Sequence, residues 1–206
     1  MSDMDIETIM RTAPVIPVLV IEDADQAVPV AEALVAGGLP VLEVTLRTDA
    51  ALDAVRAMRE VDGAIVGAGT VTDPDGLDRA LEAGSQFIVS PGLTERLGHA
   101  ALEAGVPFLP GIANAGDIMR GLDLGLGHFK FFPAEANGGI AALRALAGPF
   151  GGVKFCPTGG VRQDTAGGWL ALDQVLCVGG SWLVPRGTPD TVAIRDRAMA
   201  AAALAR

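Results

Sequence analysis

LEAGSQFIVSP at residues 81–91 and LEAGVPFLPG at residues 102–111 spell the same junction twice. In each, a helical run ends on Glu-Ala-Gly, an apolar run follows, and a proline closes it. Glycine just past a helix supplies the left-handed cap that other residues resist. An apolar run directly behind it reads as a buried strand. Near-identical spelling at both places marks one helix-to-strand junction reused as an internal repeat.

The same alternation continues in both directions. Strand-like runs are VIPVLVI (15–21), VLEVTL (41–46), AIVGAGT (64–70), QFIVSP (86–91), PFLPGI (107–112), HFKFFP (128–133), GVKFCPT (152–158) and QVLCVGG (174–180). Helical patterns fill 25–37, 50–60, 75–83, 94–104, 115–125, 139–147, 164–172 and 190–204. The strands recur at roughly 20–25 residues, the spacing of βα units. Val- and Ile-rich strands between helices belong in a parallel sheet covered on its outside. Eight such units in 206 residues predict one α/β domain over 1–206, a compact closed (β/α)8 TIM barrel. Residues 2–12 predict an extra N-terminal helix. An open doubly wound sheet would carry a glycine-rich turn after its first strand, and VIPVLVIEDADQA has no glycine.

Composition narrows the function. Half of the residues are hydrophobic and the formal net charge is −10. That balance argues against nucleic acid and anionic membrane surfaces as partners, since both call for clustered Lys and Arg. No run reaches the ~18 apolar residues of a membrane span. The start, MSDMDIETIM, lacks the basic and apolar regions of a signal peptide, so a cytoplasmic location is expected. Cys156 and Cys177 lie in apolar strand-like runs and read as small buried hydrophobes. Two histidines and no Cys-x-x-Cys or His-x-x-x-His leave little material for a metal site, and none is expected.

The chain holds 13 arginines but only two lysines, Lys130 and Lys154, and both fall in apolar strand-like runs. Lysine can lose its proton and attack a carbonyl, whereas arginine cannot. Strand side chains alternate between two faces. In VLEVTLR, the Leu42, Val44 and Leu46 face belongs against helices, which aims Glu43 and Arg47 inward. In HFKFFP, Phe129 and Phe131 fit the helix layer, so Lys130 points inward with Phe132. Thr70 falls at the end of the third strand. Glu43, Arg47, Thr70 and Lys130 therefore converge on the barrel mouth, where such folds place their chemistry.

This set has a chemical logic. Apolar walls and a nearby arginine push a lysine toward its neutral form. Neutral lysine condenses with a ketone to an imine, the activated state for carbon–carbon cleavage. A carboxylate within reach shuttles protons. An arginine offers a fork to a substrate carboxylate. Lys154 shares a face with Cys156 and Thr158 and can also project inward, so strand parity leaves it as a rival nucleophile. His128, at the start of its strand, and His99, on a helix, read as structural.

PTGGVR (157–162) and VGGSW (178–182) follow the seventh and eighth strands. Loops at those places commonly hold a phosphate, with glycine N–H groups and a hydroxyl as donors. Arg162 suits that role or a solvated helix start equally well.

Seven stretches then resemble one known family: PVLVIEDADQAVPVAEALVAGG, VLEVTLRT, VGAGTV, FIVSPG, FKFFPAEANGG, AGPFGGVKFCPTGG and VLCVGGSWLVP. In order and nearly end to end, they are similar to the 2-keto-3-deoxy-6-phosphogluconate (KDPG/KHG) aldolases. The resemblance implies a class I, Schiff-base lyase on a (β/α)8 barrel, a homotrimer in the bacterial cytosol, working without metal or organic cofactor. It implies cleavage of 2-dehydro-3-deoxy-6-phosphogluconate to pyruvate and D-glyceraldehyde 3-phosphate in Entner-Doudoroff sugar-acid degradation. The alternative is the same chemistry on 4-hydroxy-2-oxoglutarate or 2-dehydro-3-deoxy-6-phosphogalactonate. Matched by motif, it implies Lys130 as the imine-forming residue and Glu43 as acid/base. Arg47 and Thr70 would hold the pyruvate carboxylate, while Pro91 and Phe132 would wall its methyl group. Thr158 would meet the hydroxylated part of the electrophile. Gly159, Gly160 and Ser181 would hold the phosphate. GIANAGDIM (111–119) and QDTAGGWLAL (163–172) depart from the family pattern. A barrel isomerising a sugar phosphate with Glu43 as base and no imine is a different chemistry, as is a silent metabolite-binding protein.

Overall fold

Both copies of the Leu-Glu-Ala-Gly junction fold as helix, left-handed glycine and strand in the computed structural model, which describes residues 4–204. At the first copy, Gly84 adopts φ +92° and donates to Leu81 O, while Ser85 N donates to Ala80 O. This pair of bonds satisfies the last helical carbonyls. At the second copy, Gly105 adopts φ +64° and donates to Leu102 O.

In chain order the elements are α1 (Ile6–Thr12), β1 (Val15–Leu19), α2 (Ala27–Ala36), β2 (Val41–Thr45), α3 (Ala51–Arg59) and β3 (Ile65–Gly69). There follow α4 (Pro74–Glu82), β4 (Ile88–Val89), α5 (Glu95–Glu103), β5 (Phe108–Leu109), β6 (Gly111–Ile112) and α6 (Ala115–Asp123). The chain continues through β7 (His128–Phe131), α7 (Gly139–Ala147), β8 (Lys154–Pro157), α8 (Gln163–Leu170), β9 (Val178–Gly180) and α9 (Thr191–Ala202). Asp73, Thr94 and Asn114 cap α4, α5 and α6 by accepting from the backbone N–H of Gly76, Leu97 and Asp117. Of the helix expected over 2–12, residues 2 and 3 lie outside the described part. No helix among the described residues is long and apolar enough to cross a membrane.

The strands do not form the closed eight-stranded barrel that the repeat count predicts. They form a curled six-stranded parallel sheet, ordered β5-β4-β3-β2-β1-β9, and a three-stranded sheet, β6-β7-β8. Two local features break the ring. The run expected as one strand over 107–112 splits at Pro110, which has no N–H to continue a ladder. Phe108–Leu109 pairs with β4, and Gly111–Ile112 pairs with β7. The run expected over 174–180 condenses to Val178–Gly180, which pairs with β1. The run from Val175 to Gly180 meets the other sheet through isolated bridges, Phe155 to Val175 and Thr158 to Gly179.

Curling separates two apolar clusters. The larger packs helices on the outer strand faces, including Leu42, Val44, Phe129, Phe131 and Phe155. The smaller lies within the curl and joins Ile16, Val41, Phe87, Val89 and Leu109 to Ile9 and Met10 of α1. Thus α1 stops one end of the inner space, and the other end is left for the strand termini. Cys156 and Cys177 are both buried in this inner cluster.

Candidate active site

Parity places the polar side chains as the alternation requires. On β2, Leu42 and Val44 join the outer cluster and Val41 the inner one, so Glu43 shares the inner face. On β7, Phe129 and Phe131 lie outside, with Phe131 packed 6.2 Å from the Trp169 ring of α8. Lys130 points inward and donates from Nζ to Glu43 Oε1 at 2.9 Å. Each of the two residues is 3% exposed. The ammonium also stands 5.4 Å from the centre of the Phe132 ring. A cation and a carboxylate so deeply desolvated contribute little to stability relative to apolar packing, which directs attention to chemistry.

Above this pair, at the strand ends, Arg47 donates from Nε to the Thr70 hydroxyl at 3.1 Å. Thr70 adopts φ +61°, an unusual conformation for a β-branched residue. Strain of this kind costs about 1–3 kcal/mol and tends to sit at functional sites. Pro91 is half-buried in the turn after β4. That turn is held by the buried Ser90 hydroxyl, which donates to Gly92 O at 2.6 Å, and by Gly111, where any Cβ would collide with the Pro91 carbonyl.

The glycine loops meet at the same end. Thr158 is bridged to Gly179, so Gly160 and Ser181 each lie two residues beyond a shared rung. Gly159 and Gly160 have φ +99° and +81°, and Ser181 is exposed. The Thr158 hydroxyl is buried and fills the space that a Cβ on Gly179 would take. Arg162 pairs instead with Asp164 at 3.1 Å, and both are exposed. The hydrogen bond between them holds the Asp164 carboxyl below its usual range.

Lys154 is placed apart. It is the first residue of β8 and registers with His128, whereas Lys130 registers with Cys156. Its Nζ donates to Asp173 O at 3.3 Å. His128 Nε2 lies 3.3 Å from Glu7 Oε2 of α1, at the stoppered end. Lys154 and His128 therefore belong to the end away from Glu43, Arg47 and Thr70. His99 lies on α5.

Residues 6–196 match the family model for KDPG and KHG aldolase. The chain belongs to this aldolase family. It is 57% identical over 202 residues to the 2-dehydro-3-deoxy-phosphogluconate aldolase of Zymomonas mobilis, covering 98% of this chain and 97% of that one. It is 58% identical over 180 residues to the KHG/KDPG aldolase of Escherichia coli, covering 87% and 84%. A crystal structure of the Zymomonas mobilis 2-keto-3-deoxy-6-phosphogluconate aldolase with 3-phosphoglycerate matches with a TM-score of 0.97 at 56% identity, covering 100% of this chain and 98% of that one. The KDPG aldolase of Legionella pneumophila, with pyruvate captured as a covalent carbinolamine, matches at 0.93 with 42% identity, covering 97% and 98%.

Sequence reasoning passed over several residues that shape this aldolase site. A Cβ on Gly69 would fall on the Glu43 carboxylate, and one on Gly67 would enter the Phe87 ring. The signal was present in AIVGAGT, where two glycines alternate along one strand face. Glu135 of the Pro-Ala-Glu turn accepts from Trp169 Nε1 at 3.0 Å. No pattern linked these two, which stand 34 residues apart.

Proposed function

We propose that this aldolase cleaves 2-dehydro-3-deoxy-6-phosphogluconate to pyruvate and D-glyceraldehyde 3-phosphate through an imine on Lys130. The observation that carries the assignment is the buried contact between Lys130 and Glu43, 2.9 Å long, at the inner face of two strands. Glu43 takes a proton from the ammonium, and the freed amine attacks the C2 ketone. Glu43 returns the proton to the carbinolamine hydroxyl, which leaves as water, and an iminium forms. Glu43 then accepts the proton of the C4 hydroxyl, directly or through a water. The C3–C4 bond breaks, its electron pair enters the iminium to give an enamine, and the aldehyde departs. Protonation of the enamine carbon by Glu43 and hydrolysis of the iminium release pyruvate and restore the ammonium and the carboxylate.

In this reading Arg47 and Thr70 hold the keto-acid carboxylate, since the guanidinium already aims donors at the strand end. Pro91 and Phe132 wall the pyruvyl methyl group. Thr158 meets the hydroxyls of the departing aldehyde. Gly159, Gly160 and Ser181 cradle the phosphate, with left-handed glycines turning backbone donors outward. Borohydride added with pyruvate tests the assignment. A reduced adduct mapping to Lys130 is expected, and a map to Lys154 or no adduct would sink it. Association as a homotrimer is part of the same proposal. Leu102 on α5 and Met119 and Leu122 on α6 are exposed apolar side chains that contact between copies would cover. Sedimentation showing a monomer would remove that part alone.

A further inference from the structure

We propose that Glu135 is a positioning residue for the phosphate loop and that it acts through Trp169. The proposal rests on reading Gly159, Gly160 and Ser181 as the phosphate cradle. Glu135 follows the Lys130 strand by a short turn and meets the glycine loop through both its backbone and its side chain. Its backbone N–H donates to Gly159 O at 3.0 Å, and the neighbouring Ala134 N–H donates to Thr158 O at 2.8 Å. Its side-chain stem lies directly against Gly160, where a Cβ would fall within 2.8 Å of Glu135 Cβ and Cγ. Its carboxylate is then drawn to the Trp169 indole at 3.0 Å.

Trp169 is fully buried in α8, the helix that the glycine loop leads into, and its ring lies tilted against that of Phe131, the neighbour of Lys130. One carboxylate thus spans the turn after β7, the glycine loop after β8 and the helix behind that loop. This solves an electrostatic problem. A free carboxylate beside Gly160 would repel a bound phosphate, whereas the indole N–H holds its charge toward α8. The stem stays in place as a brace under Gly160. A brace of this kind governs how the loop meets phosphate and leaves the imine chemistry at Lys130 untouched.

The test compares Glu135→Ala, Glu135→Gln, Trp169→Phe and Ser181→Ala in the full-length protein. Kinetics are measured on 2-dehydro-3-deoxy-6-phosphogluconate and on 4-hydroxy-2-oxoglutarate, which has no phosphate. Glu135→Ala and Trp169→Phe are expected to raise KM for the phosphorylated substrate by about tenfold, the scale of one lost hydrogen bond. Their kcat and their KM for 4-hydroxy-2-oxoglutarate stay near those of the parent. Glu135→Gln keeps an acceptor for the indole and so rescues KM. If Ser181→Ala shifts the preference between the two substrates and Glu135→Ala does not, the positioning role is wrong while the cradle stands. If neither shifts it, the cradle reading and the proposal fall together. A Glu135→Gln defect equal to that of Glu135→Ala would overturn the route through Trp169.

Discussion

Lys130 and Lys154 lie on adjacent strands and face the same chemistry on paper, yet their surroundings differ. Lys130 is 3% exposed, 2.9 Å from a carboxylate and within reach of an aromatic ring. Lys154 is half-buried and touches a backbone carbonyl at 3.3 Å. Register explains the contrast. Lys154 pairs with His128, two residues short of the rung that Lys130 shares with Cys156. Two residues of strand are about 6.6 Å, which separates the pocket end from the end covered by α1. One residue type, placed at two heights in the same curl, becomes a candidate nucleophile at one and a solvated strand end at the other.

The firmest way to break this contrast is to exchange the roles. Lys130→Ala should lower kcat/KM by ~10^4-fold or more, the scale on which losing a covalent nucleophile acts. Retention of activity, with pyruvate and borohydride now labelling Lys154, would erase the distinction. Glu43→Gln sharpens it from the partner's side. Loss of a general acid/base is expected to reduce kcat by ~10^2–10^4-fold, and pre-steady-state trapping should show slower imine formation. Gly69→Ala tests whether the contact depends on space. The added methyl must displace the Glu43 carboxylate, and overpacking of this kind costs about 1–3 kcal/mol. A fall in kcat of tenfold or more, with the circular dichroism spectrum preserved, is the expected result. The smallest effect belongs to Lys154→Ala. Losing one part-exposed hydrogen bond should change stability by no more than about 1 kcal/mol in a denaturant melt, with kcat unchanged.

Much of this is legible in the sequence alone. The alternation in VLEVTLR and HFKFFP separated Glu43 and Lys130 from their apolar neighbours, because strand parity is a local property. From α2 onward the helices fall within two residues of the expected ranges, since caps and left-handed glycines are local signals also, whereas α1 begins at Ile6 behind its Asp5 cap, four residues after the expected start. Ring closure is not legible in the same way. Counting apolar runs cannot register that Pro110 withholds a donor or that only Val178–Gly180 of the last run finds a ladder partner. Expected strands of six residues over 86–91 and 107–112 shrink to pairs of residues for the same reason.

The sequence by itself determined which residue types are available, which strand face each one takes, and where the helices after α1 start and stop to within two residues. Those follow from steric and hydrogen-bonding preferences within a few residues. The tertiary structure alone decided that Lys130 meets Glu43 across 87 residues of chain, that Lys154 does not, and that Gly69 leaves room for the carboxylate. Such contacts depend on the relative height of strands distant in sequence. Inter-strand register sets that height, and no single strand encodes it.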